Sequence, residues 1–381
     1  MLVRQRITTY GISTVAAGTV ALALWLRPWA GGGLVETPMA PTPVDTANHR
    51  VDIVFAVDTT GSMGGLLDGA KRTVWSIATH VKDVDPQADL HVGLVAYRDL
   101  GDDYVTKDFA LSGDMDAVFA ELAAYQAAGG GDTPEDVDAA LFDAVHKMQW
   151  RDGAKKLIFL VGDAPPASRG DVPKFDVSAR DAAARQITLN TVRCGDATDT
   201  AQAWQQIASL GKGEFSSIEE NGGVQQVRTP YDDKMAALSG RIDSTAVIYG
   251  DRVVHAHYAA KMAAAEPAPA ATKADRASYY AKSIGKGKGR DDADLVSGYE
   301  NGVVDVTTIS DDKLPADLRG RSKAELKTEL DRRVADRKSA EAELGQLAKQ
   351  REIYLHDHAA AGSGAAFDTA IEKTVDTELA K

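Results

Sequence analysis

The chain is poor in what several protein classes require. It has one cysteine, Cys194, in 381 residues. That excludes an intrachain disulfide framework and a cysteine-built zinc site. Positive charge is not in surplus, since 43 Lys and Arg stand against 56 Asp and Glu, a net of −13. A phosphate backbone is a poor match for that balance, so no nucleic-acid partner is expected. Hydrophobic residues make up 44% and charged residues 26%. These values fit neither a wholly disordered chain nor a polytopic membrane protein. At about 150 residues per domain, the length predicts two to three domains.

The charge is unevenly placed. Residues 51–240 hold 30 acidic and 17 basic residues and carry the whole imbalance, and 25 of those 30 are Asp. Asp suits turns, helix N-caps and loops that bind hard cations. A plain acidic surface would give the same count.

At the N-terminus, Arg4 and Arg6 precede an uncharged stretch, residues 7–26, closed by Arg27. Basic residues before an apolar run describe a signal anchor or a signal peptide over residues 1–30. Either places the body outside the cytoplasm, in the cell envelope: attached to the inner membrane, or periplasmic or secreted after cleavage. Residues 31–48, rich in Gly and Pro, read as a flexible tether.

From residue 49 to about 240, strand and helix patterns alternate. Apolar runs of strand length occupy residues 51–57, 90–97, 156–161 and 187–192, with shorter ones at 104–111 and 213–217. Helical spacing fits residues 66–81, 115–127, 134–148, 177–185, 200–210 and 223–238. Alternation of this kind predicts an α/β fold with a doubly wound, mostly parallel, Rossmann-like sheet. Ligands of such sheets bind at the carboxyl ends of the strands.

Three polar clusters stand where that rule places a site. They are Asp58-Thr59-Thr60-Gly61-Ser62-Met63, Gly129-Gly130-Gly131-Asp132-Thr133-Pro134-Glu135 and Gly162-Asp163-Ala164-Pro165-Pro166. Asp58, Thr60, Ser62, Thr133 and Asp163 together make an all-oxygen set. It suits Mg²⁺, with Mn²⁺ or Ca²⁺ as alternatives, and not zinc or copper. Neutral hydroxyls under-neutralise such an ion, which then takes an anion such as a partner's Asp or Glu. Thr133 before Pro134 also reads as a helix N-cap, with Glu135 and Asp136 in the first turn, and Ser62 as the cap of the first helix. Tyr97-Arg98-Asp99 and Asp102-Asp103 fit a solvated turn better than a site rim.

Asp58-x-Thr60-x-Ser62, Thr133 and Asp163 resemble the metal-ion-dependent adhesion site of von Willebrand factor type A domains. The resemblance covers roughly residues 49–240, with Thr60 standing where Ser is commonest. It implies a metal-binding domain that docks a protein partner's carboxylate through the ion, for adhesion, assembly or scaffolding, and no catalysis. Val57-Asp58-Thr59-Thr60-Gly61-Ser62 also resembles the nucleophile turn of aspartyl phosphoryl-transfer enzymes. In that reading Asp163 holds Mg²⁺ and Lys155 or Lys156 neutralises phosphate. Thr59 departs from it, because that family has Lys there.

Other motifs carry less. Gly285-Lys286-Gly287-Lys288-Gly289 lacks the strand and the Lys-Ser/Thr ending of a phosphate loop. His255, His257, His356 and His358 read as bystanders, and Cys194 as a buried free thiol. Residues 241–290 read as an Ala/Gly-rich linker with a short helix near 274–284. Residues 291–381 form a C-terminal region with a short strand near 303–309. There Ser322-Lys323-Ala324-Glu325 is a capping box opening a long charged helix, residues 322–355. Leu326, Leu330, Val334, Leu344 and Leu347 give it a weak coiled-coil seam interrupted by Arg337. Such a helix either packs on its own domain or recognises a partner, in which case the metal would be structural. Leu314-Pro315-x-x-Leu318 and the charged helix ending Arg351-x-x-Tyr354 resemble the tail of some bacterial proteins carrying this domain.

Overall fold

The computed structural model describes residues 49–131, 134–167, 171–219, 223, 227–284, 290–358 and 367–380. The expected N-terminal anchor and tether lie outside the described residues. Among those described, no helix is long and apolar enough to cross a membrane.

Six strands form one sheet: β1 (Arg50–Asp58), β2 (Asp89–Tyr97), β3 (Thr106–Ser112), β4 (Lys155–Gly162), β5 (Ile187–Cys194) and β6 (Lys212–Ile218). Their spatial order is β3-β2-β1-β4-β5-β6. All pairs are parallel except β2 with β3. The order runs outward in opposite senses from the β1/β4 boundary, so the carboxyl ends of these two strands mark the topological switch point.

Both faces of the central strands are buried, which is why they read as continuous apolar runs. Side chains alternate between the faces. Ile53, Phe55, Val57, Leu157 and Phe159 join one core, which also holds Leu66, Leu67 and Val74 of α1 (Gly64–Val84) and Val118 and Leu122 of α2 (Met115–Ala124). Val54, Ala56, Ile158 and Leu160 join the other. That core also takes Val137 and Leu141 of α3 (Val137–Phe142), Ala179 of α4 (Phe175–Ala184) and Trp204 of α5 (Thr198–Leu210). Cys194 is buried in the first of these cores.

The helix expected over residues 134–148 is shorter and less regular. It starts at Val137, capped by the Asp136 side chain on Ala139 N–H at 2.9 Å, and ends in a π-helical turn, Asp143–Lys147. The helix expected over 223–238 lies at α6 (Asp232–Ser244), after Pro230.

Beyond α6 the chain is helical. Residues 241–290 hold α7 (Arg252–Ala265) and α8 (Ala270–Ala281), then follow α9 (Leu295–Glu300), α10 (Lys323–Asp357) and α11 (Phe367–Leu379). The strand expected near 303–309 is a 3₁₀ turn, Val306–Thr308, capped by Asp305 on Thr307 N–H. The capping box at Ser322 and Glu325 is present and opens α10. The seam of α10 faces its own chain. Leu326 and Leu330 pack with Val247, Leu314 and Leu318, and Ala340 and Leu344 pack with Met235, Leu238 and Ala274. Arg337 is buried because Asp294 at 2.6 Å, Thr245 at 2.8 Å and Ser297 at 2.7 Å receive its guanidinium. The last helix, α11, returns to the sheet, where Phe367, Ile371 and Val375 enter the core shared by α1 and β1.

Candidate metal centre

Asp58 ends β1 beside Gly162 of β4. A Cβ on Gly162 would stand 2.4 Å from the Tyr97 hydroxyl and 3.0 Å from Asp58 Cβ. Only glycine allows this approach. The turn after Asp58 is built by its own carboxylate. Oδ1 accepts from the Thr60 amide at 2.8 Å and from the Thr60 hydroxyl at 2.7 Å. The Thr60 and Ser62 hydroxyl oxygens lie 3.4 Å apart. Asp58 and Thr60 are buried and Ser62 is exposed. Ser62 accepts no bond from the first helix, so a capping role is not formed.

Oδ2 of Asp58 is buried without a hydrogen-bond partner. Burial pushes this carboxyl up to about 7; the Asp163 carboxylate adds to the rise, while the bonds from Thr60 and the charge of Arg98 oppose it. An orphaned buried carboxylate oxygen with a second carboxylate nearby is the environment a cation relieves. The residues present therefore fit a hard divalent ion.

The second cluster packs onto the first. Gly61 donates to Gly129 at 3.2 Å and Ala128 to Thr59 at 3.1 Å. Gly129 and Gly130 have φ of +77° and +71°. Thr133 and Asp132 lie outside the described residues. With Asp136 capping α3, the N-cap role that Thr133 could fill is taken elsewhere.

The third cluster is tied to the second. Glu135 N–H donates to Pro165 at 3.1 Å and Ala167 N–H to Glu135 at 2.7 Å. Asp163 is half-buried, and its carbonyl accepts from the Thr200 hydroxyl at 2.9 Å.

The segment after β2 is not the solvated turn expected. Arg98 and Asp99 are buried. Arg98 donates to Thr59 at 3.2 Å and to Gln126 at 2.7 Å, and its guanidinium lies 4.4 Å from the Tyr104 ring centre. Asp102 accepts from the Gly130 amide at 3.1 Å and so holds the glycine loop. Glu135 was legible only as a first-turn acid. In fact it precedes the helix, buried, and burial with the carboxylates of Asp58, Asp99, Asp102 and Asp163 pushes it up to about 8. Its position after Asp-Thr-Pro was the available signal.

Lys155 and Lys156 sit opposite Val51 and Asp52, at the other end of β1 from Asp58. Six residues of strand separate them from the site, about 20 Å. Neither can neutralise a phosphate on Asp58. Among the described residues, no three or more His, Cys, Asp and Glu side chains are grouped to hold a metal directly. The candidate set instead mixes carboxylates with hydroxyls.

Residues 52–229 match the von Willebrand factor type A domain. The chain carries a von Willebrand factor type A domain. Two curated proteins resemble part of it. The alpha-protein kinase vwkA of Dictyostelium discoideum is 28% identical over 31% of this chain and 19% of its own length. A putative ariadne-like RING finger protein, R811, of Acanthamoeba polyphaga mimivirus is 29% identical over 36% of this chain and 12% of its own. The chain thus spans a fifth or less of these relatives. Among solved structures, BatB of Bacteroides thetaiotaomicron is 16% identical, with a TM-score of 0.35, over 44% of this chain and 90% of that one. The mussel byssus proximal thread matrix protein 1, solved with zinc in its own metal-ion-dependent adhesion site motif, is 15% identical, with a TM-score of 0.33, over 46% and 42%.

Proposed function

We propose that this protein binds a divalent cation at the carboxyl ends of β1 and β4 and docks an acidic side chain of a protein partner through it. Thr60, Ser62 and Thr133 supply hydroxyl oxygens. Asp58 and Asp163 hold the ion directly or through water. Mg²⁺ is the first expectation, with Mn²⁺ or Ca²⁺ fitting the same oxygens. The observation that carries this reading is the buried, partnerless Oδ2 of Asp58 beside a second carboxylate at the switch point.

The ion supplies Lewis acidity for an external carboxylate. The chain supplies the rest: Thr60 fixes Asp58, the glycine loop closes over Thr59 and Gly61, and Asp102 fixes that loop. The acidic field of residues 51–240 repels an acidic partner at long range. A matching partner therefore presents basic residues beside its carboxylate. Residues 1–30 would attach or export the body, which places the docking in the cell envelope.

Calorimetry on the full chain with Mg²⁺, wild type against Asp163→Ala, tests the site. Equal binding by both would sink the assignment. A pull-down with and without chelator tests docking, because capture that survives chelation would move recognition to the C-terminal helices. Release of phosphate from a generic phosphoester, lost in Asp58→Asn, would overturn the non-catalytic reading.

A further inference from the structure

Glu135 is a buried carboxylate beside the site that the ligand set above leaves unused. It is 3% exposed, and its Oε2 has no hydrogen-bond partner. Its backbone is held from both sides, by Pro165 at 3.1 Å and Ala167 at 2.7 Å, so the loop bearing Asp163 fixes its place. Its Oε1 lies 3.1 Å from the point that a Cβ on Gly130 would occupy, and Thr60 Cβ lies 2.8 Å from the same point. Glu135 and Thr60 are thus neighbours across a glycine that has no side chain to separate them. Arg98, a buried cation of this region, donates to Thr59 and Gln126 and lies 3.7 Å from Asp103. A carboxylate kept in such a place needs a cation or a proton.

The geometry points to Glu135 as an outer ligand of the same divalent cation, reaching it through a water and supplying negative charge from within the chain. A water is part of the proposal because the described carboxylates do not form a group of three that could hold one ion directly. This inference rests on the metal-binding reading proposed above and adds to it. The ion is retained without a partner. An acidic ligand then meets a partly neutralised ion, which favours recognition by contacts around the carboxylate over capture of any free carboxylate.

The test uses the full chain and Mn²⁺, read by the electron paramagnetic resonance signal of the free ion, in wild type, Glu135→Gln and Asp163→Ala. The expected result is Mn²⁺ binding weakened about tenfold or more in Glu135→Gln, the range for outer-shell partners of a metal. Added acetate should strengthen Mn²⁺ retention more in Glu135→Gln than in wild type. Removing a partnerless buried carboxylate should also raise the melting temperature of the metal-free protein. Glu135→Ala repeats all three readings without the amide. Unchanged Mn²⁺ affinity in Glu135→Gln, with no acetate effect, would overturn the inference and leave the site reading standing. Failure of both Glu135 variants to fold would show a structural role and overturn it too. Wild type that binds Mn²⁺ no better than Asp163→Ala would remove the site itself.

Discussion

Thr60 donates both its amide and its hydroxyl to one oxygen of Asp58, at 2.8 and 2.7 Å, and leaves the other oxygen buried and bare. The pair is shaped before any ion arrives. The cost of that shape falls on the ionised carboxylate, which burial pushes up to about 7.

The first prediction follows from this shift. Unfolded Asp58 titrates near its ordinary value of 3.8 and folded Asp58 near 7. Between these values the folded state holds more protons than the unfolded one, so stability falls as pH rises through the window. Glu135, shifted from 4.5 to about 8, acts in the same direction. Metal-free protein should therefore melt at a lower temperature at pH 8 than at pH 5. Mg²⁺ should stabilise more at pH 8, where the carboxylates it meets are ionised. A metal-induced rise in melting temperature that is equal at both pH values would contradict the coupling.

The glycine loop gives a paired prediction. Gly130 has φ +71°, and a Cβ there would stand 2.8 Å from Thr60 Cβ; at Gly131 nothing lies within 4 Å. Gly130→Ala should cost about 1–3 kcal/mol, the usual range for a strained backbone residue, and should weaken Mg²⁺ binding by displacing Thr60. Gly131→Ala should leave both nearly unchanged. Urea unfolding and calorimetry on the two variants separate these outcomes. Equal behaviour would mean that the loop does not hold Thr60.

Much of this was legible because the central strands are buried on both faces. Residues 51–57, 90–97, 156–161 and 187–192 needed only their apolar runs, and the polar residues ending them located the candidate site. The C-terminal third was harder, because its pairing is non-local. Arg337 reads as a break in the α10 seam until Asp294, 43 residues away, is seen to receive it. Alanine hid α7, whose start is set by Asp251 capping Val253 and Val254. Helix α11 carries the spacing Phe367, Ala370, Ile371, Thr374 and Val375, but a short segment of that kind does not say which surface it covers. Glu135 resembled a first-turn acid because the backbone bonds to Pro165 and Ala167, which hold it ahead of the helix, come from another loop.

Arg276 of α8 supplies a third prediction. It meets both oxygens of Asp116 on α2, at 2.6 and 2.7 Å, and Asp243 on α6 at 2.7 Å, with Arg276 and Asp116 both buried. Removing one partner of a buried pair strands the other charge. Arg276→Ala should cost about 3–5 kcal/mol. Restoring an apolar match with Arg276→Met and Asp116→Leu together should recover part of it, and a double-mutant cycle in urea measures the coupling. Additive effects would show that the pair is not coupled.

The last helix decides how far the sheet depends on the C-terminal region. In α11, Ile371 and Val375 are fully buried, and the Phe367 ring lies 6.3 Å from Phe55 of β1. These side chains fill the face that α1 and α2 share, so α11 is part of the sheet's own core. Ile371→Ala should then cost about 2–5 kcal/mol, as for other large-to-small core changes. The loss should appear as a lower midpoint of one cooperative transition, followed both by far-ultraviolet circular dichroism and by tryptophan fluorescence, to which Trp75 on α1 contributes from the same core. A chain ending before Phe367 should show the same loss more strongly and expose Cys194, buried in this core, to thiol reagents. If Ile371→Ala costs less than about 1 kcal/mol, the value of a single buried methylene, or if Cys194 stays protected in the truncated chain, α11 rests on the domain without completing it.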